Sequence, residues 1–310
     1  MTAFSVTVLG SNAALPTLQR FSSAQWLQSG EQAYLIDCAE GTQIQLRRFH
    51  LKSAALKAIF ISHLHGDHVF GLPGLLSSLS LLDRAEPLDI FGPLQMEEWL
   101  TGHLKHFLPL SFPVRIHHTT ADEPMIIHED KCLTVTCFPL KHRIPTWGYL
   151  FRERKNPLHI RKDVIPLYQI PFRDIPAIKA GADYRTSEGQ IIPNSSLTLP
   201  PVAPRSYAYC SDTAYLPQLS QILREVDLLY HEATFADEDR KRATKTFHST
   251  AKEAAEIAKE ACVGRLIIGH FSSRYEDPLT LLQEAQSVFP HTEVAEDGKT
   301  YGVRNPFNAP

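Results

Sequence analysis

The stretch that decides the fold is His63-Leu64-His65-Gly66-Asp67-His68, which directly follows an apolar segment. That segment predicts a short buried strand, Ala58–Ser62, and Gly66 permits a tight turn behind it. The turn gathers three imidazoles and one carboxylate within six residues. Nitrogen and carboxylate donors without a thiolate suit zinc, and manganese and iron are alternatives. The stretch therefore predicts a metal site at the end of a strand.

Four donors cannot all reach one ion comfortably, so two ions are expected, with further ligands at the ends of other strands. Each further candidate, taken alone, is an ordinary polar residue at a strand end. Together with the first four they complete a set of seven, in which a carboxylate can bridge two cations through its two oxygens. The candidates are His142 after Leu133–Leu140, Asp212 after Ser206–Cys210 and His270 after Leu266–Gly269.

Strands and helices are predicted in both halves of the chain, which indicates an α/β fold. The remaining predicted strands are Phe4–Leu9, Ala33–Ile36, Leu88–Phe91, Leu133–Phe138, Tyr149–Phe151, Ser206–Cys210, Val226–Tyr230 and Leu266–Ile268. The predicted helices are Leu75–Leu82, one from the capping box Thr250/Glu253 through Ala261, and one from the N-cap pair Asp277-Pro278 through Val288. The Lys and Glu residues of the second helix are typical of a solvated surface.

The regular pattern stops between Asn156 and Pro204. Eight prolines fall there and no sustained period predicts an element. About fifty such residues are unusual inside a compact core, so an excursion or arm is expected. From Lys141 to Arg185 there are ten Lys and Arg against four Asp and Glu, a local charge of +6 in a chain of net charge −3. A solvated loop would account for this charge, and a polyanionic partner is the alternative.

Composition narrows the class of protein. The chain has 310 residues, of which 43% are hydrophobic and 21% charged, a globular composition. No apolar run approaches the roughly 20 residues of a membrane span, and no signal peptide is visible. The five cysteines are odd in number and form no CxxC. They favour reduced thiols, packed as small hydrophobes, in a cytoplasmic protein.

The HxHxDH stretch, with His, Asp and His at later strand ends, resembles the metallo-β-lactamase superfamily. Further motifs resemble the ribonuclease Z family, the short-form tRNA 3′-processing endonucleases. The likeness runs from about residue 4 to residue 304, and His231-Glu-Ala-Thr234 with Phe247-His-Ser-Thr250 is its most specific part. The motifs are Leu9–Thr17, Pro139–Arg143, His231–Phe235, Phe247–Thr250 and His270–Tyr275.

The resemblance implies an αββα sandwich, one domain over residues 1–310 with an inserted tRNA-binding arm at about 156–204. The family's arm usually carries a Gly-Pro motif, which this segment lacks, so Ile170–Pro176 and Ile178–Gly181 are the expected counterparts. The family also implies a cytoplasmic homodimer. It further implies two zinc ions per chain, one held by His63, His65 and His142, the other by Asp67, His68 and His270, with Asp212 bridging.

The implied reaction removes the 3′ trailer from precursor tRNA, leaving a 3′-OH on the tRNA and a 5′-phosphate on the trailer. Asp67 would orient the attacking water and accept its proton. His248, oriented and charged by Glu232, would protonate the leaving 3′ oxygen. Glu232 and Arg274 could instead be structural ion-pair residues. The candidate phosphate contacts are Arg274, Lys141 and Arg143.

Two other functions stay open from the sequence. A dizinc hydrolase of small molecules, such as a cyclic-nucleotide phosphodiesterase, an arylsulfatase-like enzyme or a lactonase, would lack the basic excursion. A non-catalytic nucleic-acid-binding or scaffold protein would have lost ligands, whereas all seven are present. The turn at Gly10-Ser11-Asn12, followed by Pro16, is either an anion-binding turn or a plain one.

Overall fold

A computed structural model of the chain describes residues 3–106, 109–154, 157–201 and 203–304. Its strands, in chain order, are β1 Phe4–Gly10, β2 Ala24–Ser29, β3 Gln32–Ile36, β4 Leu56–Phe60, β5 Leu88–Gly92, β6 Val114–His118, β7 Met125–Glu129, β8 Leu133–Pro139, β9 Trp147–Glu153, β10 His159–Ile160, β11 Tyr184–Arg185, β12 Ile191–Ile192, β13 Thr198–Leu199, β14 Ser206–Cys210, β15 Leu228–Glu232, β16 Leu266–Gly269, β17 Thr292–Val294 and β18 Thr300–Gly302.

The helices, in chain order, are α1 Thr42–Arg48, α2 Gly66–Val69, α3 Leu72–Leu81, α4 Met96–Leu104, α5 Val164–Leu167, α6 Ile175–Lys179, α7 Asn194–Leu197, α8 Leu219–Ile222, α9 Arg240–Thr246, α10 Ala251–Glu260 and α11 Leu279–Val288. Short 3₁₀ turns lie at Ser53–Ala55, Phe172–Asp174 and Asp237–Asp239. No helix in the described part of the chain is long and apolar enough to cross a bilayer.

Two seven-stranded sheets form the centre of the larger compact unit, which comprises residues 1–153 and 205–310. The strand orders are β18-β1-β2-β3-β4-β5-β6 and β17-β16-β15-β14-β9-β8-β7. Successive residues of a strand face opposite sides, so Phe60 packs between the sheets while Ile59 packs outward. Central strands such as β3, β14 and β16 are buried on both sides, which explains their mostly apolar sequences.

Helices cover the outer face of each sheet. Leu46 of α1, Leu76 of α3 and Leu100 of α4 pack with the outward residues of the first sheet. Ala254 of α10 and Leu281 of α11 do the same on the second. The order of layers is helix, sheet, sheet, helix, so the predicted α/β class and αββα sandwich are confirmed.

Three details of the sequence prediction need correction. The last helix begins at Leu279, and its N-cap is Pro278 rather than Asp277. Asp277, which precedes the N-cap, accepts the Leu279 N–H at 2.9 Å. The α10 capping box is present, but most of α10 is buried against the second sheet and is not a solvated surface. Strands β2, β6, β7, β17 and β18 of the two sheets were not predicted, and the half-exposed β6 and β7 carry only a weak apolar alternation.

Residues 154–204 form a second compact unit. Of its predicted bounds, Asn156 lies outside the described residues. The expectation that this stretch holds no clear element is wrong, since α5–α7 and two small antiparallel pairs, β10–β13 and β11–β12, lie within it. Its prolines and short elements concealed any period. A small apolar core of its own holds it together, formed by Val164, Ile170, Ile178, Ile192 and Leu197.

All five cysteines are free thiols. Cys38, Cys137 and Cys210 are buried as predicted, whereas Cys132 is half-buried and Cys262 is exposed.

Candidate metal centre and active site

The seven predicted donors meet at the carboxyl ends of strands. Strands β14, β15 and β16 run parallel, as do β3, β4 and β5, so the residues that follow them emerge at one edge of each sheet. His63 follows β4, Asp212 follows β14 and His270 follows β16. His270 has a left-handed backbone, with φ of 59°, a conformation that is costly for a residue with a side chain and concentrates at functional sites.

Four donors form the first group. His63 Nε2 and His65 Nδ1 are 3.1 Å apart, and His142 Nε2 lies 3.3 Å from the same His65 nitrogen. Asp212 Oδ2 closes the group at 3.7 Å from the Nε2 atoms of both His63 and His142. The four atoms therefore surround a single point.

The second group adjoins the first through the same carboxylate. His68 Nε2 and His270 Nε2 are 3.4 Å apart, and Asp67 Oδ2 lies 3.6 and 3.5 Å from them. Asp212 Oδ1 lies 3.3 Å from His68 Nε2 and 3.1 Å from His270 Nε2. Asp212 thus directs one oxygen to each group. Its Oδ1 is buried and has no hydrogen-bond partner among the described residues, which fits an oxygen that binds a cation.

The spacing within both groups matches a tetrahedral divalent metal. A tetrahedral zinc site with bonds of about 2.0–2.1 Å has donor atoms about 3.3–3.4 Å apart. The measured separations, from 3.1 to 3.7 Å, cluster around that value. Imidazole and carboxylate donors suit such ions, so the chemistry of the set agrees with its geometry.

In four of these histidines, the ring nitrogen that faces away from the donor group, Nδ1, donates a hydrogen bond to an oxygen atom. His63 Nδ1 donates to the Ser62 hydroxyl at 3.0 Å and His142 Nδ1 to the Phe247 carbonyl at 3.0 Å. His270 Nδ1 donates to the Thr234 hydroxyl at 3.0 Å. His68 Nδ1 donates in the same way to the Asp37 carboxylate. These bonds leave the Nε2 lone pairs facing the centre, as in many metal sites.

Asp37, at the end of β3, supports the centre from behind. This fully buried carboxylate accepts hydrogen bonds from the Ser62 N–H at 2.7 Å, the His68 Nδ1 at 2.8 Å and the Tyr209 hydroxyl at 2.7 Å. Asp37 was not among the predicted site residues. Asp37 directly follows a strand, and this position, which resembles that of the candidate donors, could have indicated a role in the site.

Neighbouring charges shift the pKa values of the donors. Burial alone would raise the pKa of Asp212, but His270 and His68 outweigh it and hold that pKa well below its usual range. Burial alone would lower the pKa of His68, but Asp212, Asp37 and Asp67 raise it well above its ordinary value. A proton and a metal ion therefore compete for His68.

Glu232 and His248 form an ion pair beside the second group. Glu232 is fully buried, and its Oε1 accepts the His248 Nδ1 hydrogen bond at 2.9 Å. Its Oε2 accepts the Thr234 hydroxyl at 2.7 Å. Burial lowers the pKa of His248, but the Glu232 carboxylate outweighs burial and raises it to about 9. Bound cations nearby would oppose this rise. The ionic partner of Glu232 is thus a histidine at the cavity rather than a structural Lys or Arg.

A cavity of about 630 Å³ opens over the centre. Arg143 and Arg274 line it, as the sequence analysis expected for phosphate contacts. Lys141 does not line it and lies instead on a neighbouring cavity. Arg242, on α9, also lines the main cavity and was missed, although the basic run 240–242 just before Phe247-His248 was visible in the sequence. Neither Arg242 nor Arg274 has an ion-pair partner among the described residues.

The turn after β1 holds Asp67 and does not offer its amide to an outside anion. The Ala14 N–H donates to Asp67 Oδ2 at 2.7 Å. Ala14 adopts a positive φ of 53° to present that amide. The two predicted possibilities were an anion-binding turn and a plain one, and support of Asp67 by the Ala14 amide was not predicted.

Comparisons with known proteins agree with this site. A family model described as a beta-lactamase superfamily domain matches residues 174–271, and one described as the anti-Pycsar protein Apyc1 matches residues 4–108. Ribonuclease Z of Parabacteroides distasonis is 48% identical over 98% of this chain and 100% of its own length. Ribonuclease Z of Porphyromonas gingivalis is 50% identical over 96% of this chain and 98% of its own. The chain belongs to the ribonuclease Z family.

Solved structures support the same family. The short form of human tRNase Z superposes with a TM-score of 0.71 at 28% identity, covering 97% of this chain and 99% of that one. The metallo-β-lactamase fold protein YhfI of Bacillus subtilis, at 20% identity and a TM-score of 0.68, shows the fold alone. The predicted metallo-β-lactamase fold and ribonuclease Z family are confirmed, and this member of the family is a hydrolase with endoribonuclease activity.

Proposed function

We propose that this protein removes the 3′ trailer from precursor tRNA, leaving a 3′-OH on the tRNA and a 5′-phosphate on the trailer. The observation that carries the proposal is the Glu232–His248 pair beside a centre of seven metal donors. A phosphodiester needs charge neutralisation at phosphorus, which cations held by these donors would supply, and a proton for its leaving oxygen, which His248 would supply. The names of the human and bacterial relatives support tRNA processing as the setting.

We assign two zinc ions per chain to the centre. His63, His65 and His142 would hold one and Asp67, His68 and His270 the other, with Asp212 shared. When bound, two such ions neutralise the phosphodiester and make a water molecule acidic enough to attack near neutral pH. The support is the tetrahedral spacing of each donor group and the absence of sulfur among the donors.

Asp67 has two roles in this proposal. Its Oδ2 belongs to the second donor group and is held by the Ala14 N–H. That leaves Oδ1 to orient the attacking water and accept its proton. Burial raises the pKa of Asp67, but His68 and His270 outweigh burial, so the net pKa lies well below its usual range and the carboxylate is ready to accept a hydrogen bond.

His248 would protonate the leaving 3′ oxygen. Its Nδ1 is engaged by Glu232, so Nε2 is the nitrogen that can donate to substrate. The partly exposed His248 side chain lines the cavity, while the buried Glu232 cannot reach substrate itself. Glu232 is therefore a positioning residue that keeps the imidazole oriented and charged.

The arginines on the cavity would hold the phosphates that flank the cleavage site. The planar guanidinium of Arg274 and that of Arg143 match phosphate oxygens. Arg242 joins them in this role because it lines the same cavity. Lys141, which lies on the adjoining cavity, would contact the RNA backbone further from the scissile bond.

The unit 154–204 would act as the arm that binds tRNA. Its exposed cations include Lys162, Arg173 and Arg185, and contacts from such residues to RNA phosphates are sequence-independent and sensitive to salt. Its own apolar core would let it present these charges as a folded module. The proposed role in tRNA binding is supported by the exposed cations of this unit and by its own apolar core.

Excision of this unit is expected to separate binding from chemistry. Strands β9 and β14 are antiparallel neighbours, and the Glu153 N–H donates to the Arg205 carbonyl at 2.9 Å. An Asn-Gly turn in place of residues 154–204 can therefore join them as a two-residue hairpin. We expect full zinc content and normal hydrolysis of bis(p-nitrophenyl) phosphate. Affinity for precursor tRNA is expected to fall at least about tenfold, with a shallower salt dependence.

A charge-only variant is the matched control for the excision. Replacing Lys162, Arg173 and Arg185 with glutamine keeps the unit and removes three cations. Each lost phosphate contact is expected to reduce the slope of log K against log salt by roughly 0.7–0.9. Unchanged RNA binding by the folded excision variant would show that the unit does not bind tRNA.

The function itself is tested by mapping the cleavage of an end-labelled precursor tRNA with the zinc-loaded protein. The expected products are a tRNA with a free 3′-OH and a trailer with a 5′-phosphate. Cleavage of bis(p-nitrophenyl) phosphate without cleavage of the RNA would favour a small-molecule phosphodiesterase instead. Metal analysis of the purified protein would distinguish zinc from manganese and iron.

We also propose a homodimer in the cytoplasm. Ile44, Leu81 and Leu82 are largely exposed around an apolar cavity of about 310 Å³ between α1 and α3, a surface suited to a second copy of the chain. Free thiols fit a reducing compartment. Sedimentation equilibrium is expected to return the mass of two chains, and a monomer mass would contradict the dimer.

A further inference from the structure

Phe70 is an exposed aromatic side chain at the mouth of the active site. It is 62% exposed and lines the same cavity as His65, Asp67 and His248. Phenylalanine is ordinarily buried, and an exposed one in a functional cavity indicates a ligand with an apolar surface. Nothing in the proposed metal or acid–base chemistry uses it.

The position of the Phe70 ring is set by Gly66. A Cβ atom at position 66 would lie 2.3 Å from the Phe70 Cε2, so the ring occupies the space that a side chain would fill. The Phe70 N–H also donates to the Gly66 carbonyl at 3.0 Å at the end of α2. The ring is therefore held against the backbone of the metal-binding segment while most of its surface remains open to solvent.

The cavity has residues suited to both parts of a nucleotide. Leu15 and Pro16 add apolar surface to the cavity that Phe70 lines, and Arg242 and Arg274 provide cations. A nucleotide combines a flat base that stacks on aromatic rings with a charged phosphate that binds guanidinium groups. A scissile phosphate at the donor centre therefore brings an adjacent unpaired base within range of Phe70.

The acid–base pair indicates which base this is. In an in-line displacement the attacking and leaving oxygens lie on opposite sides of phosphorus. His248 marks the leaving 3′ oxygen, and so the last nucleoside of the tRNA body. Asp67 marks the attacking water, and Phe70 follows it by three residues on the same segment. The trailer's 5′ oxygen stays on phosphorus, so the nucleotide directed away from the leaving oxygen and His248 is the first nucleotide of the trailer.

We propose that Phe70 is the platform on which the first trailer base stacks during cleavage. This inference rests on the proposed removal of the 3′ trailer. Stacking accepts any base, because every base has a π face. A platform of this kind positions trailers of differing sequence alike, whereas hydrogen bonds to base edges would select among them.

The test combines Phe70 variants with abasic substrates in single-turnover cleavage of precursor tRNA. Phe70→Ala is expected to lower kcat/KM roughly 5- to 150-fold on the intact RNA, the range for loss of one stacked base. Phe70→Trp is expected to stay within about threefold of wild type, and Phe70→Leu to resemble alanine. Leu279→Ala, an exposed apolar residue outside the cavity, is the matched control and is expected to be unchanged.

An abasic first trailer nucleotide provides the decisive comparison. It is expected to slow the wild type as much as Phe70→Ala does, and to slow Phe70→Ala no further. Equal additional losses in both proteins would overturn the proposal, as would the same non-additivity with an abasic last nucleotide of the tRNA body. Zinc content is measured for each variant. Wild type that leaves the intact RNA uncut would instead refute the proposed function.

Discussion

Asp212→Ala is expected to lose metal from both donor groups and to lose activity with it. The two carboxylate oxygens face different groups, Oδ2 at 3.7 Å from His63 and His142 and Oδ1 at 3.1 and 3.3 Å from His270 and His68. Removing the side chain takes one donor atom from each group. It also removes a negative charge that would balance the charge of bound cations. We expect well under two zinc ions per chain and a fall in RNA cleavage of at least about 10²- to 10³-fold.

The matched control is Asp89→Ala. Asp89 also has a histidine partner, His117 at 2.7 Å, but it lies outside the metal centre and the cavity. Atomic absorption on both purified variants measures the metal content. The control is expected to retain two zinc ions per chain, and two zinc ions in Asp212→Ala would refute the shared role of this carboxylate.

His248→Ala is expected to retain zinc and RNA binding but to lose turnover. A general acid contributes roughly 10²- to 10⁴-fold, and single-turnover kinetics at saturating precursor tRNA isolate that step. The effect arises because the leaving 3′ oxygen would lose its proton donor while the seven metal donors remain. Glu232→Gln is expected to fall between this variant and wild type, since it keeps the hydrogen-bonding shape near His248 but removes the charge.

A competing role for His248 is tested by the same variant. One of its nitrogens lies within 4.8 Å of donor atoms of Asp212 and His270, a spacing that would also permit metal binding. Loss of one zinc ion from His248→Ala would make it a ligand rather than the acid, and a wild-type rate would remove it from the mechanism. His103→Ala, at an exposed histidine on α4, is the matched control.

Most strands of the two sheets, and the convergence of the candidate donors, were predictable from the sequence. A strand that is buried on both faces is a continuous apolar run, so its end is visible where polar residues begin. His63, Asp212 and His270 follow such strands, whereas His142 follows β8, whose burial alternates. Carboxyl ends of parallel strands share an edge, which makes their convergence an expectation from local pattern alone.

The short helices, and the choice of basic side chains that line the cavity, were less predictable because they depend on contacts between distant parts of the chain. Arg242 lies on α9, a short helix with no clear apolar period, so its place on the cavity was not visible in the sequence. Lys141 neighbours the candidate donor His142 in sequence, yet it lies on a different cavity from Arg143. Adjacent residues point in different directions, so nearness in sequence did not determine which of them reaches the substrate.

The sequence by itself determined the residue types of the candidate metal donors, their places near strand ends and the family. The tertiary structure alone decided how the centre is supported. Asp37 supports His68 because β3 lies next to β4, and Ala14 supports Asp67 because the turn after β1 reaches over α2. Such hydrogen bonds join residues 31 and 53 positions apart. A local sequence pattern shows which side of its own strand or helix a side chain lies on. The hydrogen bonds to Asp37 and Ala14 form only after the sheets have paired and packed.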